Sequence, residues 1–227
     1  MRSPICTKTR RRALAKADQV VAHHFEDADQ QREASSLGMW AFLVTEVMFF
    51  GGVFAGYAIC HGMYPEAFAE ASKKLNVVLG ATNTAVLICS SLSMAFAVRS
   101  AQLNQRKRLL GFLVLTIFLG SVFLGIKAIE YSHKFHEHLV PGSSFTFEGP
   151  HIGGAEIFFS FYFAMTGLHA LHMIIGIGLM IWLLVKTQRG RFSSEYYSPV
   201  EHVGLYWHFV DIVWVFLFPL LYLISRA

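Results

Sequence analysis

Long apolar stretches alternate with short polar ones from Gly38 to the carboxyl end of the chain. A helix needs about 20 largely apolar residues to cross the hydrocarbon of a bilayer. Five segments meet that requirement: Gly38 to Ile59, Asn76 to Val98, Leu109 to Tyr131, Glu156 to Val185 and His202 to Ile224. The pattern predicts an all-α integral membrane bundle of five transmembrane helices, occupying 37–227 behind a polar, flexible tail at 1–36. Short connections make neighbours in sequence neighbours in space. Only His133 to Gly154 is expected to have structure of its own, a polar loop with His133, His136 and His138 and the turn pairs Pro141-Gly142 and Gly149-Pro150.

Charge adds an orientation. The tail (Lys8, Arg10, Arg11, Arg12, Lys16, Arg32), the connection with Arg99, Arg106, Lys107 and Arg108, and the one with Lys186, Arg189 and Arg191 fall on one side of five alternating helices. The positive-inside rule makes that side cytoplasmic, which puts the N-terminus in the cytoplasm and the C-terminus in the periplasm. Trp40, Trp182 and Trp207 then come near the cytoplasmic ends of their helices, where indoles favour the headgroup boundary. The tail holds no apolar run that would serve as a secretory signal. A net charge of +4 that sits mostly in the tail and loops suits anionic lipid headgroups and excludes nucleic acid as a partner. Cys6, Cys60 and Cys89 are scattered and give no disulfide framework or metal cage.

No fixed-period repeat marks a solenoid, and no pair of helices reads as an inverted copy, as a secondary transporter would require. Small and hydroxyl residues mark helix contacts instead. Asn76, Asn83 and Ser90 recur every seventh residue with Gly80 and Thr84 nearby, and Gly120, Ser121, Gly125 and Ala128 line the third span.

Ionisable residues inside these spans are costly and normally face other helices with a partner. At 1.5 Å per residue from the cytoplasmic ends, Glu46 lies about 12 Å deep, His208 about 9 Å, Asp211 about 14 Å and His172 about 20 Å. His208 and Asp211 are three apart, as are His169 and His172. Glu46, His169, His172, His208 and Asp211 are therefore the candidate buried cluster, with at least some of them joined by hydrogen bonds. A structural role needs nothing more. A metal site would need glutamates at matching spacing on facing helices, and these are missing. A proton relay through carboxylates and imidazoles would need a path to the far side, which this chain alone does not supply.

Lys127 and Glu130, one turn apart at the outer end of the third span, suit pairing or snorkelling toward water. Glu156 opens the fourth span, where its charge complements the helix dipole. No nucleophile with its base, phosphate loop or cofactor fingerprint is present, so no catalytic, cofactor-binding or metal-ligating residue is assigned.

Several segments resemble subunit III of the haem-copper respiratory oxidases, the cytochrome c oxidase subunit III family. Leu43-Val44-Thr45-Glu46-Val47-Met48-Phe49-Phe50 is similar to the family's glutamate-bearing helix, and Leu119 to Tyr131, ending in Glu130-Tyr131, to the next but one. Gly167-Leu168-His169-Ala170-Leu171-His172 matches its Gly-x-His-x-x-His turn, and Tyr206 to Trp214 is the most specific piece. The matches occur in family order and cover nearly all of Gly38 to Leu223.

The resemblance implies a subunit of a bacterial inner-membrane oxidase with no cofactor of its own. Haem and copper would reside in partner subunits: the haem-copper subunit I against which it packs, with subunit II in the complex. It further implies support of subunit I and of its proton uptake, contact with membrane lipids and possession of bound phospholipid. By motif, Glu46 corresponds to the family's carbodiimide-reactive glutamate, and His169, His172, His208 and Asp211 to polar residues of its later helices. Larger members carry two further helices that wall a lipid cleft; a polar tail stands there in this chain. Short members also occur with quinol oxidases and beside nitric oxide reductases, and a stand-alone transporter or channel is the rival from another class.

Overall fold

The computed structural model describes residues 28–142, 145–147, 149–189 and 197–223. Most of these residues are helical with no strand among them, and five helices are long and apolar enough to span a membrane. The tail assigned to 1–36 lies mostly outside them, as do Cys6 and Arg191.

Helix α1 (Ala28–Met63) begins well before Gly38. The chain up to Thr45 and the chain from Glu46 form separate compact units. In the first, Ser35 and Thr45 return their hydroxyls to the carbonyls of Gln31 and Phe42, and Trp40 and Val44 are exposed.

In the second unit, α1 continues to Met63 and is followed by a short helix that the hydrophobic pattern does not announce, α2 (Pro65–Lys73). Pro65 sits in its first turn, where no N–H is needed, and Ala67, Phe68 and Ala71 bury one side. At nine residues it is too short to register as a span, so hydropathy predicts no structure in the 64–76 connection. Helix α3 (Val77–Gln102) starts at Asn76, whose side-chain oxygen accepts from the amides of Val78 at 3.0 Å and Leu79 at 3.3 Å. Asn104, at φ 55°, turns the chain into α4 (Arg106–His136). Helix α5 (Ile152–Gln188) has 37 residues, and α6 (Ser198–Phe218) runs into a π-turn at Pro219–Leu223. Helices α1, α3, α4 and α5 run past one or both ends of their expected spans, because polar residues that fail a hydropathy window still continue a helix. Helix α6 begins earlier than expected and gives way to the π-turn at Pro219.

Helices α3, α4, α5 and α6 pack in a closed ring, each against the next and α6 back against α3. Two tryptophans of α6 fill it. Trp207 lies between Gly120 of α4 and Gly176 of α5, where an added Cβ on either would come within 2.8 Å of the indole. Its Nε1 donates to Ser90, and that of Trp214 donates to Thr84, at 3.0 and 3.1 Å. The small and hydroxyl positions of α3 are thus indole acceptors, and Gly80 similarly admits Phe218 and Tyr222. Trp207 is fully buried between helices, and its indole faces glycines of α4 and α5; Trp40 and Trp182 are exposed. Ser121, Gly125 and Ala128 face outward on α4, and no described residue lies against Gly125.

From Glu46 on, α1 makes no extended backbone contact with another helix among the described residues. Side chains hold it. The Phe50 ring meets His172 and Phe209, Gly56 rests on Phe161, and the Tyr57 hydroxyl donates to the carbonyl of Leu220 at 2.8 Å. Leu220 lies in the π-turn that opens at Pro219.

Candidate polar sites inside the bundle

The ends of the ring are tied by polar contacts. The Arg106 guanidinium donates to the carbonyl of Gln188, the last residue of α5, and Gln102 donates to Glu201 at 3.2 Å. These bonds gather Arg99, Arg106, Lys107, Arg108, Lys186 and Arg189 at one end of the ring. At the other end, buried Lys134 donates to the carbonyl of Lys74 and to Glu137. The Gly142 amide donates to Glu156 at 3.2 Å, so Glu156 anchors the loop from within a helix that opens earlier, at Ile152.

Inside, the five candidate residues do not form one network. Glu46 of α1 and His172 of α5 meet at 3.1 Å, Oε2 to Nε2, and His172 Nδ1 donates to the carbonyl of Leu168 at 2.8 Å. His208 of α6 is hydrogen-bonded through Nδ1 to Ser91 of α3 at 2.7 Å. The Ser91 hydroxyl also acts on the nearby Asp211 carboxyl, yet neither oxygen of Asp211 reaches hydrogen-bond geometry with any described residue. His169, fully buried, has neither ring nitrogen bonded to a described residue and is held between the rings of Phe123 and Trp214, with centroids 5.4 and 5.1 Å away. Asn83 is likewise buried without a partner for its amide among the described residues.

The densest polar site is the pair that hydropathy places at an outer end. Lys127 and Glu130 are 4 % and 2 % exposed, so the ammonium does not snorkel to water. Helix α4 continues to His136, about two and a half turns beyond Lys127, which places the pair inside the bundle. Lys127 Nζ donates to Glu130 Oε2 at 2.9 Å, to Tyr222 at 3.0 Å and to Tyr162 at 3.3 Å. Tyr222 in turn donates to Glu130 Oε1 at 2.6 Å. The ammonium also lies 5.1 Å from the ring centroids of both Tyr162 and Trp214, within cation–π range. Beside this box, Thr166 donates to the carbonyl of Tyr162, leaving its oxygen to accept from Tyr131 at 2.5 Å. Tyr162, Tyr222, Trp214, Ser91 and Tyr206 all escape a search for charged residues. The one signal pointing to Tyr222 is Pro219 three residues before it.

Among the described residues no three His, Cys, Asp or Glu side chains gather as they would around a metal ion, and His133, His136 and His138 are exposed. Intramembrane charge here is spent on contacts between helices.

The family model for cytochrome c oxidase subunit III matches residues 14–226. The chain belongs to that family. Similar proteins include cytochrome c oxidase subunit 3 of Thermostichus vulcanus, 29 % identical over 88 % of this chain and 92 % of that one. That of Corynebacterium diphtheriae is 32 % identical over 84 % of this chain and 88 % of its own. That of Ornithorhynchus anatinus is 33 % identical over 82 % and 67 %. These relatives are subunits of an oxidoreductase complex of the respiratory chain, and this subunit III chain is a multi-pass membrane protein of that family. Its match extends across the Glu46, Glu130, His169–His172 and Tyr206–Trp214 segments described above.

Proposed function

We propose that this chain is the non-redox third subunit of a bacterial terminal oxidase of the cytochrome c oxidase type, in which oxygen is reduced to water by the haem and copper of its partners. It sits in the inner membrane with its N-terminus in the cytoplasm and its C-terminus in the periplasm. It packs against subunit I, with subunit II in the complex and phospholipid around it, stabilising subunit I and supporting proton uptake there. The observation that carries this reading is how the interior charges are used. Lys127 and Glu130 are saturated by each other and by Tyr162 and Tyr222, and Glu46 joins α1 to His172 of α5. That is scaffold chemistry: buried polar groups that fix which helices meet and in which register. Glu46, His172, His208 and Asp211 would tune the cytoplasmic half of subunit I, where protons enter.

Affinity purification of this chain from its own membranes tests the reading. A co-eluting haem-copper subunit and oxygen consumption with cytochrome c are expected. Co-elution with a quinol oxidase or a nitric oxide reductase would replace the partner, and solute flux in liposomes containing this chain alone would replace the class. Within the oxidase, Glu46→Gln should leave haem content intact while altering assembly or sustained turnover. Normal association and an unchanged turnover lifetime would remove Glu46 from the account.

A further inference from the structure

The contact between Glu46 and His172 carries a proton count. A carbonyl oxygen only accepts, so the 2.8 Å bond to Leu168 requires a hydrogen on His172 Nδ1. A neutral imidazole protonated there presents a bare lone pair at Nε2, and an ionised carboxylate presents nothing but lone pairs. Two such atoms 3.1 Å apart repel, so the contact needs one further proton, on Nε2 or on Glu46 Oε2. Either placement leaves the pair with no net charge, which is the form least costly in a membrane interior.

The ring is held in place for this. Tyr206 of α6 donates to the His172 carbonyl at 3.0 Å, and Phe50 of α1 packs against the imidazole with centroids 5.2 Å apart. Other titratable groups lie near the pair, and Tyr206 acts electrostatically on Glu46 as His169 does on His172. On α5, His169 lies one turn away between aromatic rings; on α4, Lys127 is engaged with Glu130; on α6, the Tyr206 phenol is on the carbonyl and His208 is on Ser91, with Asp211 beside it. Among the described residues of α1, Glu46 is the charged group that reaches the ring. The Glu46 and His172 side chains are 19 % and 13 % exposed, enough for a proton to exchange without unfolding.

We propose that Glu46 and His172 together form a binding site for one exchangeable proton, and that this proton is what joins α1 to α5 at that level. Without it, a carboxylate faces an imidazole lone pair. Because α1 has no extended backbone contact to fall back on, the turns around Glu46 then loosen, while Tyr57 stays held by Leu220 and Phe161.

The site is built from this chain alone, so its test stands apart from the identity of the partner. Infrared spectra of the full chain in lipid nanodiscs, in light and heavy water, should show a protonated-carboxyl or an imidazolium band that shifts on deuteration. An imidazolium band should be lost in both Glu46→Gln and His172→Phe, whereas a carboxyl band should be lost in Glu46→Gln and shift in His172→Phe, where the acid no longer faces the imidazole. A spectrum with no such band, corresponding to carboxylate beside neutral imidazole, overturns the proposal. Amide exchange in the turns around Glu46 tests the joining role. The side-chain amide introduced by Glu46→Gln can donate to the imidazole with no proton to lose. The E46Q protein should therefore keep its protection as pH rises, while the wild type loses protection beyond the intrinsic rate change. The same pH response in both proteins overturns that half.

Discussion

Tyr222 and Glu130, far apart in the chain, are joined by a 2.6 Å hydrogen bond from the phenol to Oε1, and Lys127 closes the triangle by donating to both. The carboxylate thus receives a hydrogen bond on each oxygen in a place where water does not reach. Taking one member of a buried pair away leaves the other charge uncompensated, at about 3–5 kcal/mol. Lys127→Met and Glu130→Gln should each lower the thermal midpoint of the purified protein steeply. The double variant should be more stable than either. A double variant as unstable as the sum of the singles would show that the two residues act independently.

Pro219 places that phenol. Its missing N–H removes one bond of an ordinary helix, and the π-turn that opens at this residue holds the buried Tyr222. Pro219→Ala restores the donor and lets α6 continue as an ordinary helix, rotating Tyr222 away. Tyr222→Phe should cost about 1.5–3 kcal/mol in the natural background, as expected for a hydrogen bond to a charged group, and next to nothing once Pro219 is Ala. Denaturation of the two single variants and the double variant measures this, and a Tyr222→Phe effect of equal size in both backgrounds contradicts it.

Room for Trp207 depends on Gly120 and Gly176. Gly176→Val forces atoms into space the indole occupies, and overpacking of this kind costs about 1–3 kcal/mol. Gly125→Val on the same helix as Gly120 meets no described residue and should leave the melting temperature unchanged. The contrast is readable from thermal shifts in detergent.

Lys134 ties the connection after α2 to the end of α4 through the Lys74 carbonyl. Lys134→Met keeps the apolar stem and removes the donor. Limited proteolysis should then cut the outer connections faster, with the five spans still protected. An unchanged cleavage rate would mean that the surrounding packing, and not the ammonium, holds the loop.

The spans and their number were legible because hydropathy over 20 residues is set by composition alone. The α3 packing positions were legible for a related reason, since small and hydroxyl residues recur on one face: Ser90 and Thr84 do receive the two indoles. The polar interior was less so. Positions three apart on a helix diverge by about 60°, and that difference sends His172 toward α1 while His169 turns inward between Phe123 and Trp214. Spacing puts both histidines on one face and cannot separate their surroundings. Lys127 and Glu130 look like an end pair because the hydropathy window closes near Tyr131, whereas the helix runs on through Ser132 and His133 to His136. Their aromatic partners come from other helices, and no local pattern relates Tyr162 or Tyr222 to a lysine in a different span.

Closure of the ring by α6 bears on how the protein is made. Trp207 and Trp214 belong to a helix that leaves the ribosome after α3, α4 and α5, yet the groups they cover, Ser90, Thr84, Gly120, Gly176 and His169, belong to those helices synthesised earlier. Until that keystone arrives, three inserted helices present an open trough of hydroxyls, an imidazole and a lysine to the lipid. A polypeptide released short of Ser198 is therefore not a smaller bundle but an unfinished one, and its exposed polar lining is what membrane quality control would recognise.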